Sequence, residues 1–204
     1  GIYCRRSLFP QLDAEPMFTV TKAGIDFYEG LFAQPYPFGK YDQIFVPEFN
    51  WGGMENVAAI GYTDTVVFRD PPTENQLVRR AEYLTHELAH MWFGDLVTMR
   101  WFNDVWMKEV FANFMAAKIV NPSFPHVNHE LRFLVSNYPA AYAVDRTAGT
   151  HPIRQELANL NEAGSLYGAI IYQKAPIVMR QLERLIGAER LQEGLRAYLK
   201  QFAF

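Results

Sequence analysis

The sequence predicts an α+β fold that is mostly helical, with a small sheet near the N-terminus. Two strand-like apolar runs lie in the first third of the chain, at residues 41–46 and 57–68. From residue 73 onward, apolar residues recur at helical spacing in segments that Gly and Pro separate. The chain has 204 residues, of which 50% are hydrophobic and 15% aromatic, as is typical of a globular domain.

The composition gives no reason to expect nucleic acid or an anionic membrane surface as a partner, because the net charge is only -3. The single cysteine, Cys4, excludes a disulfide within this chain and a metal site built from several thiolates. No apolar run reaches the roughly 20 residues that a membrane-spanning helix needs. We therefore expect no nucleic-acid partner and no membrane segment in this chain.

The region before the sheet is predicted to contain one helix. Residues 1–20 hold short apolar pieces that Pro10 and Pro16 interrupt, so we expect the end of a strand and a linker from an upstream domain. Residues 21–33 place Tyr28 and Phe32 on one face, which predicts a helix. A Pro-rich turn then leads to the two strand-like runs.

The rest of the chain is predicted to be helical apart from one irregular segment. Thr73 and Gln76 match a capping box, which marks the start of a long helix that Gly94 ends. Gly187 separates the last two helices. The predicted helices cover residues 74 to 92 or 93, about 104–120, 126–137, 168–186 and 188 onward, with 138–160 irregular.

The segment His86-Glu87-Leu88-Ala89-His90 has the HExxH pattern on a predicted helix. Residues four apart share a helix face, so the two imidazoles can bind one zinc ion. Glu87 is the residue after His86 on the helix, so its side chain is expected to lie beside the metal without binding it. There it can act as the general base that takes a proton from a zinc-activated water.

Two surface histidines on an amphipathic helix are the alternative interpretation of this pattern. The helical phase disfavours it, because one apolar stripe lies opposite the two imidazoles. The stripe consists of Leu77, Ala81, Leu84, Leu88 and Met91. A metal site forms only if a second helix covers the face that carries His86 and His90.

The next helix can supply that cover and a third ligand. Residues 106–117 are apolar around most of the helix circumference, which indicates a buried helix containing Glu109. A buried carboxylate needs a cation, and the adjacent Lys108 is expected to point elsewhere. Ala112 and Ala116 share the face of Glu109 and would allow close helix packing. We expect Glu109 to be the third zinc ligand, with a surface glutamate as the alternative.

The combined motifs identify a family. Glu109 follows the HExxH segment at the spacing HExxH-x18-E, and residues 52–56 have the pattern Gly-x-Met-Glu-Asn. The whole chain resembles the aminopeptidase N family of zinc metallopeptidases, which includes a leukotriene epoxide hydrolase. This resemblance implies a thermolysin-like catalytic domain at 21–204, with a small N-terminal mixed sheet and one zinc ion. It also implies that 1–20 ends an upstream β domain and that a downstream helical domain is absent.

The resemblance also assigns roles to further residues. It implies that Glu55 binds the α-ammonium of the substrate, within a substrate-binding segment of Gly52, Gly53, Met54, Glu55 and Asn56. It implies that Tyr172 stabilises the oxyanion, although Ala175 stands where the family pattern has glycine. Val110 and Asp95 also differ from the residues that the family commonly has at these positions. His126, His129 and His151 are expected on solvated surfaces rather than at a metal.

The function implied is a zinc-dependent aminopeptidase that hydrolyses the N-terminal peptide bond of peptides through a zinc-activated water, with Glu87 as general base. The implied partners are a peptide substrate with a free N-terminus and the flanking domains of the full-length protein. Without those domains, the fragment is expected to bind zinc and to turn over poorly. The alternatives are a zinc endopeptidase or epoxide hydrolase of the same family, or a non-catalytic peptide-binding module.

Overall fold

The computed structural model describes all residues 1–204 and confirms a mostly helical α+β fold. The helices are α1 (Ala14–Phe32), α2 (Glu74–His90), α3 (Val105–Ser123), α4 (His129–Asp145), α5 (Ala175–Ile186) and α6 (Ala188–Phe202). The strands are β1 (Ile2–Cys4), β2 (Asp42–Val46), β3 (Gly53–Met54) and β4 (Ala59–Thr63). No helix is both long enough and apolar enough to cross a membrane.

The four strands form one mixed sheet in the order β1-β2-β4-β3. Strands β1, β2 and β4 are parallel, with Phe45 opposite Tyr62, whereas β3 runs antiparallel to β4. Strand β3 is therefore an edge strand, and it contacts helix α2. This contact brings the segment after Trp51 beside the helix that carries the HExxH residues.

Helix α2 is the centre of the core, because it packs against both α1 and α3. On the α1 side, Tyr28 donates a hydrogen bond to the backbone oxygen of Thr85 at 3.0 Å. Its ring lies edge-on to Trp92, with the ring centres 5.6 Å apart. Because α2 is held from two sides, its two histidines have a fixed position relative to α3.

Several predicted features are confirmed. Thr73 and Gln76 form the capping box, in which each side chain bonds the other residue's backbone N–H. In the apolar stripe of α2, Leu77 is half-buried, whereas Ala81, Leu84, Leu88 and Met91 are buried. Helix α3 is buried over much of its length, and Gly187 separates α5 from α6.

The predicted start of the first helix, at residue 21, is wrong. Helix α1 begins at Ala14 and includes Pro16 in its first turn. The first backbone N–H groups of a helix have no intrahelical partner, so proline costs little there. Residues 1–20 also supply β1 to the sheet, and their assignment to the end of an upstream domain stays a prediction.

Two later helices also extend beyond their predicted ends, each through a proline. Helix α4 continues through Pro139, so 138–145 is helical rather than irregular. Pro139 removes the donor that the carbonyl of Val135 would otherwise have, and Val135 lies on an exposed part of the helix. Helix α3 likewise continues past Pro122 for one residue. The second strand-like run is shorter than predicted, because a 3-10 turn (Asp64–Val66) follows β4.

Candidate metal centre and active site

The two HExxH histidines and Glu109 converge on one point between α2 and α3. The Nε2 atoms of His86 and His90 are 3.1 Å apart. The Oε2 atom of Glu109 lies 3.4 Å from the His86 Nε2 and 3.5 Å from the His90 Nε2. These three donor atoms therefore form a nearly equilateral triangle.

The size of this triangle fits a small divalent metal ion. Tetrahedral ligands at about 2.0–2.1 Å from a metal are about 3.3–3.4 Å from one another. The three measured distances lie close to that value, and the triangle faces an open cleft. Two imidazoles and one carboxylate can therefore hold a metal and leave a fourth position for water or substrate.

The Nδ1 atoms of both histidines have oxygen partners. His90 Nδ1 lies 3.0 Å from the backbone oxygen of Phe93, and His86 Nδ1 lies 3.0 Å from Oδ1 of Asn113. An oxygen acceptor keeps the proton on Nδ1 and leaves the Nε2 lone pair free for a metal. The sequence interpretation did not identify either partner. The available signal for Asn113 was its position one helical turn after Glu109, on the same face of α3.

We expect Asn113→Ala to weaken metal binding about 10–100-fold, because His86 loses the acceptor that fixes its tautomer and orientation. Asn113→Asp should retain near-normal affinity, since a carboxylate also accepts the Nδ1 proton. Competition with a chelating dye measures both affinities. Asn121→Ala, on the same helix, is the matched control. Unchanged metal affinity in Asn113→Ala would contradict this role.

The carboxylates near the triangle have opposite protonation tendencies. Burial alone would raise the pKa of Glu109, but hydrogen bonds and attraction from His86 and His90 hold that pKa well below its usual range. For Glu87, burial dominates and raises the pKa to about 8. Glu109 is therefore suited to hold a cation, whereas burial gives the Glu87 carboxylate a greater affinity for a proton.

Lys108 does not point away from the site, so that prediction is wrong. Its Nζ atom contacts Oε1 of Glu55 and lies 3.2 Å from Oε1 of Glu109. The Cα–Cβ bond of Lys108 points in a different direction from that of Glu109. The flexible four-carbon side chain of Lys108 nevertheless brings its ammonium back into the cleft. Although burial opposes it, attraction from Glu109 and Glu55 raises the pKa of Lys108 above its usual value. Glu55 therefore has a cationic partner within the chain.

Glycine allows β3 to approach α2 closely. A Cβ atom at Gly53 would overlap the side-chain carboxylate of Glu87. The strand therefore lies directly against Glu87, and Glu55 follows immediately. The ligand atoms of Glu55, His90 and Glu109 lie within 4.8 Å of one another. Any group held by Glu55 is consequently close to the donor atoms of His90 and Glu109.

Tyr172 lies on a π-helical turn (Ile170–Lys174) that precedes α5. Such turns are frequent at functional sites. Burial, assisted by the Glu109 carboxylate, raises the pKa of Tyr172, so its phenol is neutral and can donate a hydrogen bond. Lys174 anchors the turn, because its Nζ atom is 2.7 Å from Oδ1 of Asp145.

One cleft, with a volume of about 1320 Å³, contains nearly all of the predicted site residues. They are Gly52, Gly53, Met54, Glu55, His86, Glu87, His90, Glu109 and Tyr172. Asn56 is the exception, because it is exposed and does not line the cleft.

The three remaining histidines lie away from the triangle of donor atoms. His126 contacts Glu74 at the surface, and His151 is bonded to the oxygen of Pro152. His129 is half-buried and lines the cleft, and its Nε2 lies 2.8 Å from a backbone oxygen. None of the three belongs to a group of potential metal ligands.

The sequence of this chain is similar to a known family and to known proteins. The family model described as "Peptidase family M1 domain" matches residues 17–204. The chain is 42% identical over its full length to aminopeptidase N of Streptomyces lividans, covering 24% of that protein. It is 37% identical to leucyl aminopeptidase of Saccharolobus solfataricus, with 91% of this chain and 24% of that protein aligned.

A third relative, puromycin-sensitive aminopeptidase of Caenorhabditis elegans, is 38% identical over 88% of this chain and 19% of its own length. The chain thus spans about a quarter or less of the length of these relatives. The family match covers strands β2, β3 and β4, both helices of the donor triangle and the turn of Tyr172. The chain belongs to peptidase family M1.

Proposed function

We propose that this chain is the catalytic part of a zinc-dependent aminopeptidase, which hydrolyses the N-terminal peptide bond of peptides. The observation that carries the proposal is the combination of a three-ligand metal triangle with a carboxylate, Glu55, beside it. A metal-activated water needs the triangle, and recognition of a free N-terminus needs the carboxylate. The names of the three relatives, all aminopeptidases, support the same reaction.

The ion is proposed to be zinc, held by His86, His90 and Glu109. Two neutral imidazoles and one carboxylate, with a fourth position open, are a ligand set of catalytic zinc sites. Zinc bound there supplies a Lewis acid that polarises the scissile carbonyl and lowers the pKa of a water molecule to about 7.

Glu87 is proposed as the general base. Its carboxylate lies with His86 and His90 in one cluster of potential ligand atoms within 4.8 Å, so it can reach a water at the open position. Glu87 takes a proton from the attacking water and passes it to the leaving amine nitrogen. The neutral phenol of Tyr172 donates to the oxygen that gains negative charge in the transition state.

Glu55 is proposed to bind the α-ammonium of the substrate. The pKa of Glu55 is lowered, since attraction from His90 and Lys108 outweighs the effect of burial, and the group is therefore charged at neutral pH. A charged carboxylate at a fixed distance from the metal pairs with a free N-terminus but not with an internal amide. This restricts cleavage to the first peptide bond.

Residues 21–204 are proposed to form the catalytic domain, with further domains of the full-length protein on either side. The relatives support this organisation, since they are several times longer than the aligned part. Because such domains would supply substrate contacts, we expect the isolated chain to turn over poorly.

Glu55→Gln is expected to lower kcat/KM for a free-amine aminoacyl amide about 100-fold, because a buried charge-assisted hydrogen bond is lost. Hydrolysis of the same substrate carrying an N-acetyl group should not fall. Both rates are measured on the zinc-loaded full-length protein, before and after chelation. The zinc content is checked by elemental analysis.

Glu48→Gln is the control, because Glu48 is an exposed carboxylate in the β2–β3 connection, on the other side of β3 from Glu55. Unchanged hydrolysis of the free-amine substrate by Glu55→Gln would favour an endopeptidase or epoxide hydrolase over an aminopeptidase. A zinc-loaded protein without turnover of either substrate would indicate a peptide-binding module instead.

A further inference from the structure

The ammonium group of Lys108 lies between two carboxylates inside the cleft. It contacts Oε1 of Glu55 and is 3.2 Å from Oε1 of Glu109. The side chains of Lys108 and Glu55 are only 13% and 9% exposed, respectively. The contact is therefore shielded from water, where a charged pair is much stronger than at an open surface.

Lys108 is the only lysine or arginine that is paired with Glu55. The other cationic side chains of α3, α4 and α5 that form ion pairs have different carboxylate partners. Lys118 is paired with Glu183, Arg132 with Glu82, and Arg180 and Arg184 with Glu130. The remaining charged groups that act on Glu55 include His90, the anionic side chain of Glu109 and the carboxyl group of Asp95.

The two oxygens of Glu109 face different partners. Oε2 is directed at the two imidazoles, and Oε1 is directed at Lys108. If Lys108 leaves Glu55, its flexible stem allows the ammonium to keep its contact with Oε1 of Glu109. The movement therefore does not leave a buried cation without a partner.

We propose that the ammonium of Lys108 occupies, in the substrate-free protein, the place on Glu55 that the α-ammonium of a peptide takes on binding. This inference rests on the proposed role of Glu55. The two ammonium groups carry the same charge and the same three donors, so they compete for one carboxylate. Lys108 thus sets the affinity of the site for a free N-terminus.

A different role for Lys108 would change affinity in the opposite direction. If the lysine only held Glu55 in place for the substrate, its removal would weaken binding of an amine. Under competition, removal of Lys108 strengthens amine binding, because both the competing ligand and a repelling charge are lost. The sign of the affinity change therefore distinguishes the two roles.

The test uses the zinc-loaded full-length protein in a Glu87→Gln background, which allows binding to be measured without turnover. The probes are leucine amide and its N-acetyl derivative, titrated by calorimetry. Lys108→Met is expected to bind leucine amide about tenfold more tightly, which corresponds to about 1.4 kcal/mol. Affinity for the acetylated probe should not change.

Lys118→Met is the matched control, since it removes a lysine of the same helix that is paired elsewhere. Lys108→Arg keeps a cation at the site and should show no gain. Lys108→Gln is a second neutral variant in case the methionine variant does not fold. Unchanged or weaker binding of leucine amide in a folded neutral variant would overturn the proposal.

Glu55→Gln separates failure of this inference from failure of the proposed function. If Glu55→Gln does not weaken binding of leucine amide, Glu55 is not the ammonium site and the proposed function fails. If that variant binds weakly but Lys108→Met gains nothing, only the competition is refuted. In the Glu55→Gln background, Lys108→Met should gain much less affinity, because only the repelling charge is then lost.

Discussion

Glu87→Gln is expected to lower kcat by about 10²–10⁴-fold while the metal content stays unchanged. The amide cannot accept a proton from water, but it has nearly the same volume as the carboxylate. Glu87 is 4% exposed and packs against Gly53, so an isosteric change disturbs the cleft least. Turnover of an aminoacyl amide and elemental analysis of the purified full-length protein measure the two quantities.

Glu74→Gln is a suitable control for this experiment. Glu74 lies in the first turn of the same helix, and its side chain is bonded to the surface residue His126. We expect normal turnover in this variant. Retention of most of the activity by Glu87→Gln would refute the general-base role, whereas loss of zinc would indicate that Glu87 helps to hold the ion.

Glu109→Ala is expected to lower zinc affinity more than 100-fold and to abolish turnover at limiting zinc. Loss of a partner that only orients a ligand costs about 10–100-fold, and loss of a ligand itself should cost more. In addition, His86, His90 and Lys108 all lose a carboxylate that is 5% exposed in the intact protein. Chelator competition measures the affinity, and circular dichroism shows whether the helices persist.

Glu109→Gln separates the loss of charge from the loss of volume at this position. It should bind zinc weakly as well, because an amide oxygen is a poorer ligand than a carboxylate. Glu183→Gln removes a carboxylate that faces α3 and is paired with Lys118, and it should leave zinc affinity unchanged. Normal zinc affinity in folded Glu109→Ala would exclude Glu109 as the third ligand.

Helix α2 shows which parts of the fold were predictable from sequence. Its start at Glu74 follows from the contact between Thr73 and Gln76, which are three residues apart and need no distant partner. The start of α1 was not predicted, because Pro16 is a helix breaker in general and tolerated only in a first turn. Strand β3 was also missed, since two residues, Gly53 and Met54, show no alternation.

Lys108 shows why side-chain contacts were harder to predict than helix faces. The angle of about 100° per residue correctly separates the Cα–Cβ directions of Lys108 and Glu109. It does not determine where a long, flexible side chain ends. The carboxylate of Glu55, supplied by a loop after β3, attracts the ammonium into the cleft. That attraction depends on packing between parts of the chain that are distant in sequence.

The sequence by itself determined the residue types of the site and the spacing of His86, Glu87 and His90, because positions on one helix are fixed by local hydrogen bonds. It also carried the motifs of the family. The tertiary structure alone decided that Glu109 completes a triangle of metal size and that Asn113 faces His86. It likewise decided that Glu55 is already paired with Lys108. These arrangements depend on how α3 and β3 pack against α2, and such packing is set by the whole core.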